Sequence, residues 1–310
     1  MDEISRLLRM ARLDASLDRR CRLGGSTRMD VASEGPRAVP FHVLLEGECA
    51  LEVGGELYPM KAGDVVVIPS NAGHRILTSG AGAVQGTSER TGESIIFTAS
   101  ADGGSPVIDL FCGHFSVSPG AGAILFGSLP TPTVASLFDS EAGRSTLVRL
   151  SELMRAEAER DADGSAAIMS AFCTVLIALV LRTAGGAGAR AGVWTAVPDE
   201  HVSAAIRRVL ARPGGDWSIE ALSRQSAMSR ATFIRRFQAA TGMTFGTFLT
   251  RARLMTAADL LVGSDWTVSA VAAHVGYRSE SAFTRAFRAA VGETPARFRR
   301  AEASLVPGDA

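Results

Sequence analysis

The stretch Ser218–Phe248, "SIEALSRQSAMSRATFIRRFQAATGMTFGTF", is repeated 50 residues further on by Val268–Phe298, "VSAVAAHVGYRSESAFTRAFRAAVGETPARF". The positions that carry the same residue in both copies include Ser229 and Ser279, Phe233 and Phe283, Arg235 and Arg285, Phe237 and Phe287, Gly242 and Gly292, Thr244 and Thr294, and Phe248 and Phe298. A self-match at a fixed spacing indicates a repeated supersecondary unit.

Each copy has the pattern of two helices joined by a tight turn. Ser229 and Ser279 stand where a hydroxyl can accept hydrogen bonds from the free N–H groups at the start of a second helix. Within the first copy of that helix, Phe233 and Phe237 are four residues apart and share one face. A helix that is anchored by two aromatic side chains and presents polar side chains outward suits the DNA major groove. The sequence therefore predicts two helix-turn-helix units.

Both units, and the predicted helix Gly246–Val262 between them, resemble the DNA-binding domain of the AraC/XylS family of transcription regulators. The resemblance covers about 202–300 and is carried by "MSRATFIRRF", "VGYRSESAF" and "GETPARF". It implies that each second helix enters a major groove, the two grooves lying about one turn apart on one face of the duplex. The residues placed against DNA in this way are Arg230, Ala231, Ile234, Arg235, Glu280, Ser281, Thr284 and Arg285.

Arginines in this region have two possible roles. Arg235 and Arg285 occupy the same slot of the two helices, and each can bind guanine N7 and O6 in bidentate fashion. The remaining arginines are predicted to contact phosphate or to have structural roles, and the sequence leaves both alternatives open for each. They are Arg251, Arg253, Arg288, Arg297, Arg299 and Arg300.

Charge is unevenly distributed along the 310 residues, although the formal net charge is zero. Residues 201–302 contain 15 Arg, no Lys and 7 acidic residues, so this part is basic and the remainder is acidic. A basic module on an acidic body is typical of proteins that bind nucleic acid. The four cysteines, Cys21, Cys49, Cys112 and Cys173, form no disulfide framework. We therefore expect a cytoplasmic protein with double-stranded promoter DNA as its partner.

The N-terminal part, residues 1–130, is predicted to be a small β-barrel preceded by a helix at 4–17. Short apolar runs alternate with glycine turns, and Gly54-Gly55 is typical of a hairpin. "TSGAGAVQGTSERTGE", residues 78–93, is interpreted either as a mobile loop over the barrel mouth or as an insertion without a role.

This part resembles the cupin-like sensory domain of some AraC-type regulators. The resemblance is carried by His42 with Glu46 four residues later, and by "GDVVVIPSNAGH", which ends at His74. Pro40 and Asn71 depart from the cupin motifs, so the usual set of metal ligands is incomplete. A substitute set would be His42, Glu46, His74, Cys112 and His114, which suits zinc or another divalent metal. The alternative is that these residues line an effector pocket or form hydrogen bonds in the core.

Residues 131–198 are predicted to contain two helices and a linker. Thr146–Arg160 is charged and amphipathic, whereas Ala166–Leu181 is apolar nearly all round and must bury more than one face. This pair resembles the segment that serves dimerisation in the same regulators, and at 16 residues the apolar run is short for a membrane span. "TAGGAGARAGVWTAVP" is predicted to be a flexible linker.

The sequence as a whole predicts an α+β multidomain protein. It comprises a cupin-like β-barrel, a helical dimerisation segment and an all-α double helix-turn-helix domain at 199–302. The leading hypothesis is a homodimeric transcription regulator that is controlled by a small molecule or metal and contacts RNA polymerase, with no enzymatic activity. The alternatives are a metal-dependent cupin enzyme fused to a DNA-binding module and a purely architectural DNA-binding protein. The leading hypothesis is that the regulator activates transcription, although the sequence alone does not separate activation from repression.

Overall fold

The structure, a computed structural model, describes residues 2–33, 35, 37–117, 120–139, 141–183 and 199–303. The described chain forms two compact units. The barrel unit contains residues 14–116 and 129–183, and the DNA-binding unit contains residues 2–13, 117–128 and 199–303, within the described ranges. The predicted linker lies, apart from Thr183, outside the described residues.

The strands are β1 (Asp14–Leu23), β2 (Arg28–Val31), β3 (Ala38–Glu46), β4 (Glu48–Val53), β5 (Glu56–Lys61), β6 (Asp64–Val67), β7 (His74–Leu77), β8 (Thr87–Thr91), β9 (Ile96–Ser100), β10 (Ile108–Ser116) and β11 (Thr133–Ser136). The helices are α1 (Glu3–Ala11), α2 (Ala121–Phe126), α3 (Glu141–Arg160), α4 (Ser165–Thr183), α5 (Glu200–Ala211), α6 (Ile219–Gln225), α7 (Arg230–Thr241), α8 (Phe245–Gly263), α9 (Val268–His274), α10 (Glu280–Val291) and α11 (Pro295–Ala303). A 3-10 turn, Leu137–Asp139, precedes α3.

The barrel unit has two sheets. The larger has the strand order β11-β6-β3-β10-β1-β9-β8, and the smaller has the order β2-β7-β4-β5. Gly54 and Gly55 form the β4–β5 turn with φ values of 61° and 83°, a backbone region that glycine adopts without strain. Side chains from both sheets fill one core of buried residues: Cys21, Leu23, Met29, Leu44, Cys49, Leu51, Val53, Met60, Val66, Ile68, Ile76, Ile108, Leu110 and Cys112.

A charged network joins the outer face of the larger sheet to α3. Arg20 of β1 binds both carboxylate oxygens of Asp109 on β10, at 3.1 Å each. Arg155 of α3 donates to the same carboxylate at 2.7 Å and to Glu46 at 2.7 Å. The two arginines hold the pKa of Asp109 below its usual value, although burial acts in the opposite direction. Each of these four charged side chains therefore has a partner of opposite charge at the helix–sheet interface.

Helix α4 packs against β1, β11 and α3. Among the described helices it is the one whose length and mean hydropathy, 2.0, would allow it to cross a membrane. Leu176 and Leu179 are 1 % and 6 % exposed, so these leucines belong to the core of the barrel unit rather than to a partner-facing surface. The large apolar side chains that α4 leaves exposed are Ile168 and Val175, each at 41 %.

Two segments from the N-terminal part of the sequence pack with the DNA-binding helices. Helix α1 lies against α5 and α8, and Arg6 donates to the carbonyl oxygen of Leu210 at 2.7 Å. Helix α2 lies against α1, α8 and α10. Gly120, just before α2, has φ +104°, and a Cβ atom there would lie 2.8 Å from Phe298. The barrel unit therefore does not coincide with the domain 1–130 that the sequence predicts, because α1 and α2 belong to the DNA-binding unit.

Two local predictions differ from the structure. The predicted helix 4–17 ends at Ala11, because Arg12 adopts a left-handed conformation and Asp14 already belongs to β1. The segment 78–93 is not wholly a loop, because Thr87–Thr91 forms the edge strand β8. Its burial pattern is largely exposed, as an edge strand rich in charged and hydroxyl residues allows.

Candidate functional site

The second helix of each helix-turn-helix unit begins as the sequence predicts, and the structure shows how it ends. Ser229 accepts from the N–H of Thr232 at the start of α7, and Ser279 accepts from the N–H of Ala282 at the start of α10. The helices end at Gly242 and Gly292, both left-handed. A side-chain cap at one end and a glycine at the other fix the length of each helix.

Phenylalanine clusters hold the two helices in the same way. In the first unit the ring centroids of Phe237 lie 5.7 Å from Phe233 and 5.6 Å from Phe248. The equivalent distances in the second unit, Phe283–Phe287 and Phe287–Phe298, are 5.6 Å and 5.4 Å. All of these rings are at most 2 % exposed. The sequence repeat is therefore a repeat of packing, and it fixes which face of α7 and α10 points outward.

The turns of the two units differ by one residue. The N–H of Met228 donates to the Ser223 carbonyl oxygen, whereas the N–H of Tyr277 donates to that of Ala272, so the first helices align at an offset of 49 rather than 50. The left-handed turn position is Ala227 with φ 51° in the first unit and Gly276 with φ 87° in the second. Alanine at such a position stores backbone strain that glycine avoids.

The eight residues predicted to contact DNA lie on the outer faces or at the N-termini of α7 and α10. Seven of them are exposed and Thr284 is half-buried. Arg235 and Arg285 form no ion pair with any residue that the structure describes. Arg230 differs, because its Nε lies 2.8 Å from the Glu220 carboxylate on α6. Glu280 lies in the first turn of α10, where a carboxylate also stabilises the helix dipole.

Several other arginines have structural roles. Arg299 donates to the carbonyl oxygens of Leu261 and Trp266, at the end of α8. Arg253 donates to the carbonyl oxygens of Pro213 and Gly215, both at 3.1 Å. Of the two roles that the sequence left open for these two side chains, the structure shows the structural one.

In the barrel unit, three of the five predicted effector or metal residues come together between the sheets. His42 and Cys112 face each other on β3 and β10, and His74 reaches them from β7 of the other sheet. The Nδ1 atom of His42 lies 3.1 Å from the Cys112 Sγ, and its Nε2 lies 2.6 Å from the Nε2 of His74. The Nδ1 of His74 lies 2.8 Å from the Ala72 carbonyl oxygen.

These contacts fix the protons of the cluster. The Ala72 oxygen can only accept, so His74 carries its proton on Nδ1 and accepts through Nε2. The Nε2 of His42 must then donate to His74, which leaves the Nδ1 of His42 to accept from the Cys112 thiol. Burial lowers the pKa of both histidines, and that of His42 well below its usual value. A hydrogen bond with Cys21, together with burial, raises the pKa of Cys112 well above its usual value. All three side chains of the cluster, His42, His74 and Cys112, are therefore neutral.

Glu46 does not join the cluster. Residues four apart on a regular strand share a face, but β3 pairs Leu44 with Leu110 and Glu46 with Asp109, so Leu45 is an extra residue. This β-bulge turns Glu46 to the outer face, where its side chain is 67 % exposed and its carboxylate binds Arg155. His114 also lies apart from these contacts, since its Nδ1 is 2.7 Å from the Asp18 carboxylate.

The observed arrangement is a hydrogen-bonded chain rather than a metal chelate. Cys112 contacts the Nδ1 of His42, whereas His74 contacts the Nε2 on the other side of the ring. A metal ion bound to one of these nitrogens therefore could not also be bound by both Cys112 and His74. Among the residues that the structure describes, no group of three or more His, Cys, Asp or Glu side chains could hold a metal ion.

Cys21 is the cluster residue that sequence reasoning missed. Its Sγ lies 3.7 Å from that of Cys112 and 3.5 Å from the Met29 Sδ. The sequence does contain a pattern that could have placed Cys21 in the core. The buried residues Ala15, Leu17, Cys21 and Leu23 alternate along β1 as in a strand with one face inward, with one bulge after Leu17.

The order of a two-sheet barrel followed by a doubled helix-turn-helix agrees with comparisons to known families. A cupin family profile matches residues 2–184, more than half of the chain, and a helix-turn-helix domain profile matches residues 222–301. The chain belongs to the AraC-type transcriptional regulators with an N-terminal cupin domain.

Three relatives match the regulator over almost its full length. An uncharacterised HTH-type transcriptional regulator of Haemophilus influenzae is 30% identical over 97% of this chain and 99% of its own. The RCS-specific HTH-type transcriptional activator RclR of Escherichia coli is 26% identical over 99% of this chain and 100% of its own. The HTH-type transcriptional regulator MtrA of Neisseria gonorrhoeae is 27% identical over 97% of this chain and 98% of its own. The regulator is thus a DNA-binding transcription regulator with a cupin ligand-binding domain, as the sequence predicted.

Proposed function

We propose that this regulator binds promoter DNA through α7 and α10 in successive major-groove segments on one face of the duplex. The observation that carries the proposal is the matched presentation of Arg235 and Arg285. Both are exposed on equivalent faces and have no ion-pair partner among the described residues. Bidentate pairing of each with guanine supplies base specificity, and the basic charge of 201–302 supplies affinity for phosphate.

The acting species in this proposal is a cytoplasmic homodimer. Ile168 and Val175 lie seven residues apart on α4, so they share a face across two helical turns. Both keep 41 % of their surface exposed, and α3 adds exposed Val148 and Leu153. A second copy of the same helices would cover these side chains. Two copies would read two sites, which is the usual arrangement of helix-turn-helix dimers.

The barrel unit senses the signal and has no enzymatic role in this proposal. Its cluster consists of neutral groups already engaged with one another, which favours a sensing or structural role over turnover. Helices α1 and α2 would transmit the signal, because they pack on α8, the helix between the two helix-turn-helix units. Since the E. coli relative is named a transcriptional activator, we propose activation, with RNA polymerase as a partner.

Selection of binding sites from random DNA tests the proposal. For each bound chain, the full-length regulator should enrich two conserved blocks about one helical turn apart, roughly 10–10.5 bp. The Arg235→Ala, Arg285→Ala double variant should lose the preferred base pair in each block. Enrichment of sequences without paired blocks would contradict it.

A further inference from the structure

Two cysteines lie close together inside the barrel unit, beside the pair His42 and His74. Cys21 on β1 and Cys112 on β10 bring their sulfur atoms to 3.7 Å, and both are reduced. Cys112 is 7 % exposed and Cys21 is fully buried. Cys112 is also the thiol whose proton faces the Nδ1 of His42 at 3.1 Å. The two sulfurs therefore differ in access and in the availability of a proton acceptor.

We propose that Cys21 and Cys112 are an oxidisable dithiol, converted to a disulfide by a small neutral two-electron oxidant such as hydrogen peroxide, and that this conversion is a signal the regulator reads. This inference rests on the proposed function, which supplies the DNA-binding output. The chemistry at the two sulfurs can nevertheless be measured without DNA.

The reaction balances with peroxide as the sole co-reactant. Cys112 loses its thiol proton to His42 while its sulfur attacks one peroxide oxygen, the O–O bond breaks, and the departing hydroxide takes that proton to form water. The Cys21 sulfur then attacks the sulfenic sulfur of Cys112, the S–O bond breaks, and hydroxide leaves with the Cys21 proton as a second water. Two electrons pass from the two sulfurs to the peroxide.

Burial determines which oxidants can act. A thiol with a raised pKa holds little thiolate at neutral pH, so the pair stays reduced under mild conditions. Oxidised glutathione is large and charged and would have to reach a sulfur that is almost fully covered. Hydrogen peroxide is small and neutral. The pair should therefore react with peroxide and not with oxidised glutathione.

The strand register links this bond to the DNA-binding helices. Cys21 is paired with Leu110 and Arg19 with Cys112, so the two cysteines are diagonal neighbours. Diagonal partners have Cα atoms about 7–8 Å apart, whereas a disulfide needs about 4.4–6.8 Å. Because β1 and β10 are already paired, closing the bond must shift the two strands relative to each other. The chain leads from α1 into β1 and from β10 into α2, and both helices pack on α8.

The test begins with the full-length, fully reduced regulator. One equivalent of hydrogen peroxide should lower the free thiols per chain from four to two, with a loss of two mass units and a Cys21–Cys112 peptide on mapping. Equimolar oxidised glutathione should leave all four free. Cys173→Ser, which removes a buried thiol of α4, is the matched control and should still form the bond. Cys112→Ser should not, and mapping of the unmodified protein decides the matter even if that variant misfolds.

Affinity for DNA selected by the reduced protein should then change by at least about fivefold on oxidation, and return with dithiothreitol. A disulfide that involves Cys49, no disulfide at all, or stoichiometric zinc that must be removed before the thiols react would each overturn the inference. So would a Cys21–Cys112 bond that leaves DNA affinity unchanged. Loss of DNA binding in both redox states would instead refute the proposed function, while the thiol count would still judge the dithiol.

Discussion

Replacing Arg235 by alanine should remove base preference at one position without harming the fold. The guanidinium is exposed and forms no ion pair with the described residues, so its removal breaks no bond of the free protein. A bidentate arginine–guanine contact contributes about 1–3 kcal/mol of discrimination, which corresponds to about 5- to 150-fold in relative affinity. Arg285→Ala should have the same effect about one helical turn away, because it occupies the equivalent slot of α10.

The matched control is the neighbouring residue. Arg236 is also an exposed arginine of α7, but its Nε lies 2.5 Å from the carboxylate of Asp199, which caps α5. Arg236→Ala should therefore cost less than about 1 kcal/mol of stability and leave the sequence preference unchanged.

The assay is binding-site selection followed by competition titration against single-base variants of the preferred site. Arg235 and Arg285 lie on different helices, α7 and α10, and each would contact a different base pair. The free-energy losses of the two single variants should therefore add in the double variant. The reasoning is refuted if Arg235→Ala and Arg285→Ala keep the parent preference at every base and lose only overall affinity. That result would make both side chains phosphate contacts.

Three further results are expected. Val175→Glu should shift the protein from dimer to monomer in sedimentation at micromolar concentration, because it places a charge in the face of α4 that the dimer would cover, while Leu57→Glu, at an exposed apolar residue of the β4–β5 hairpin, should not. Burial lowers the folded-state pKa of His42 and His74, so the unfolded chain binds protons first; the contribution of the two histidines to stability should be constant above about pH 6.5 and fall below it by up to about 1.4 kcal/mol per pH unit for each histidine, which denaturant titrations would detect. Ala227→Gly should raise the melting temperature of the DNA-binding unit, since it relieves about 1 kcal/mol of left-handed strain, and an unchanged or lower value would show that the turn is not strained.

The DNA-binding helices were predictable because their determinants are local. A serine cap and two phenylalanines four residues apart mark each second helix of the helix-turn-helix units, and the structure confirms the caps at Ser229 and Ser279. The additional residue in the second turn was not predicted, because an overall offset of 50 conceals a local offset of 49.

Sequence spacing failed where pairing between strands decides orientation. The expectation that His42 and Glu46 share a face assumed a regular strand, and the bulge at Leu45 is visible only in the pairing with β10. β1 was missed for another reason. Its sequence, "DASLDRRCRL", carries five charged residues, and it can occupy the middle of a sheet because Arg20 pairs with Asp109 on β10, a strand that is adjacent in the sheet but far away in the sequence. Cys21 was overlooked as a result.

The most direct test of the central claim is a hydroxyl-radical footprint of the full-length regulator on a selected site. If α7 and α10 read successive major-groove segments, each bound chain should protect two short patches on one face of the duplex. Their centres should lie about 10–10.5 bp apart, and Arg285→Ala should weaken only one of them. A single protected patch per chain, or two patches on opposite faces, would contradict the account.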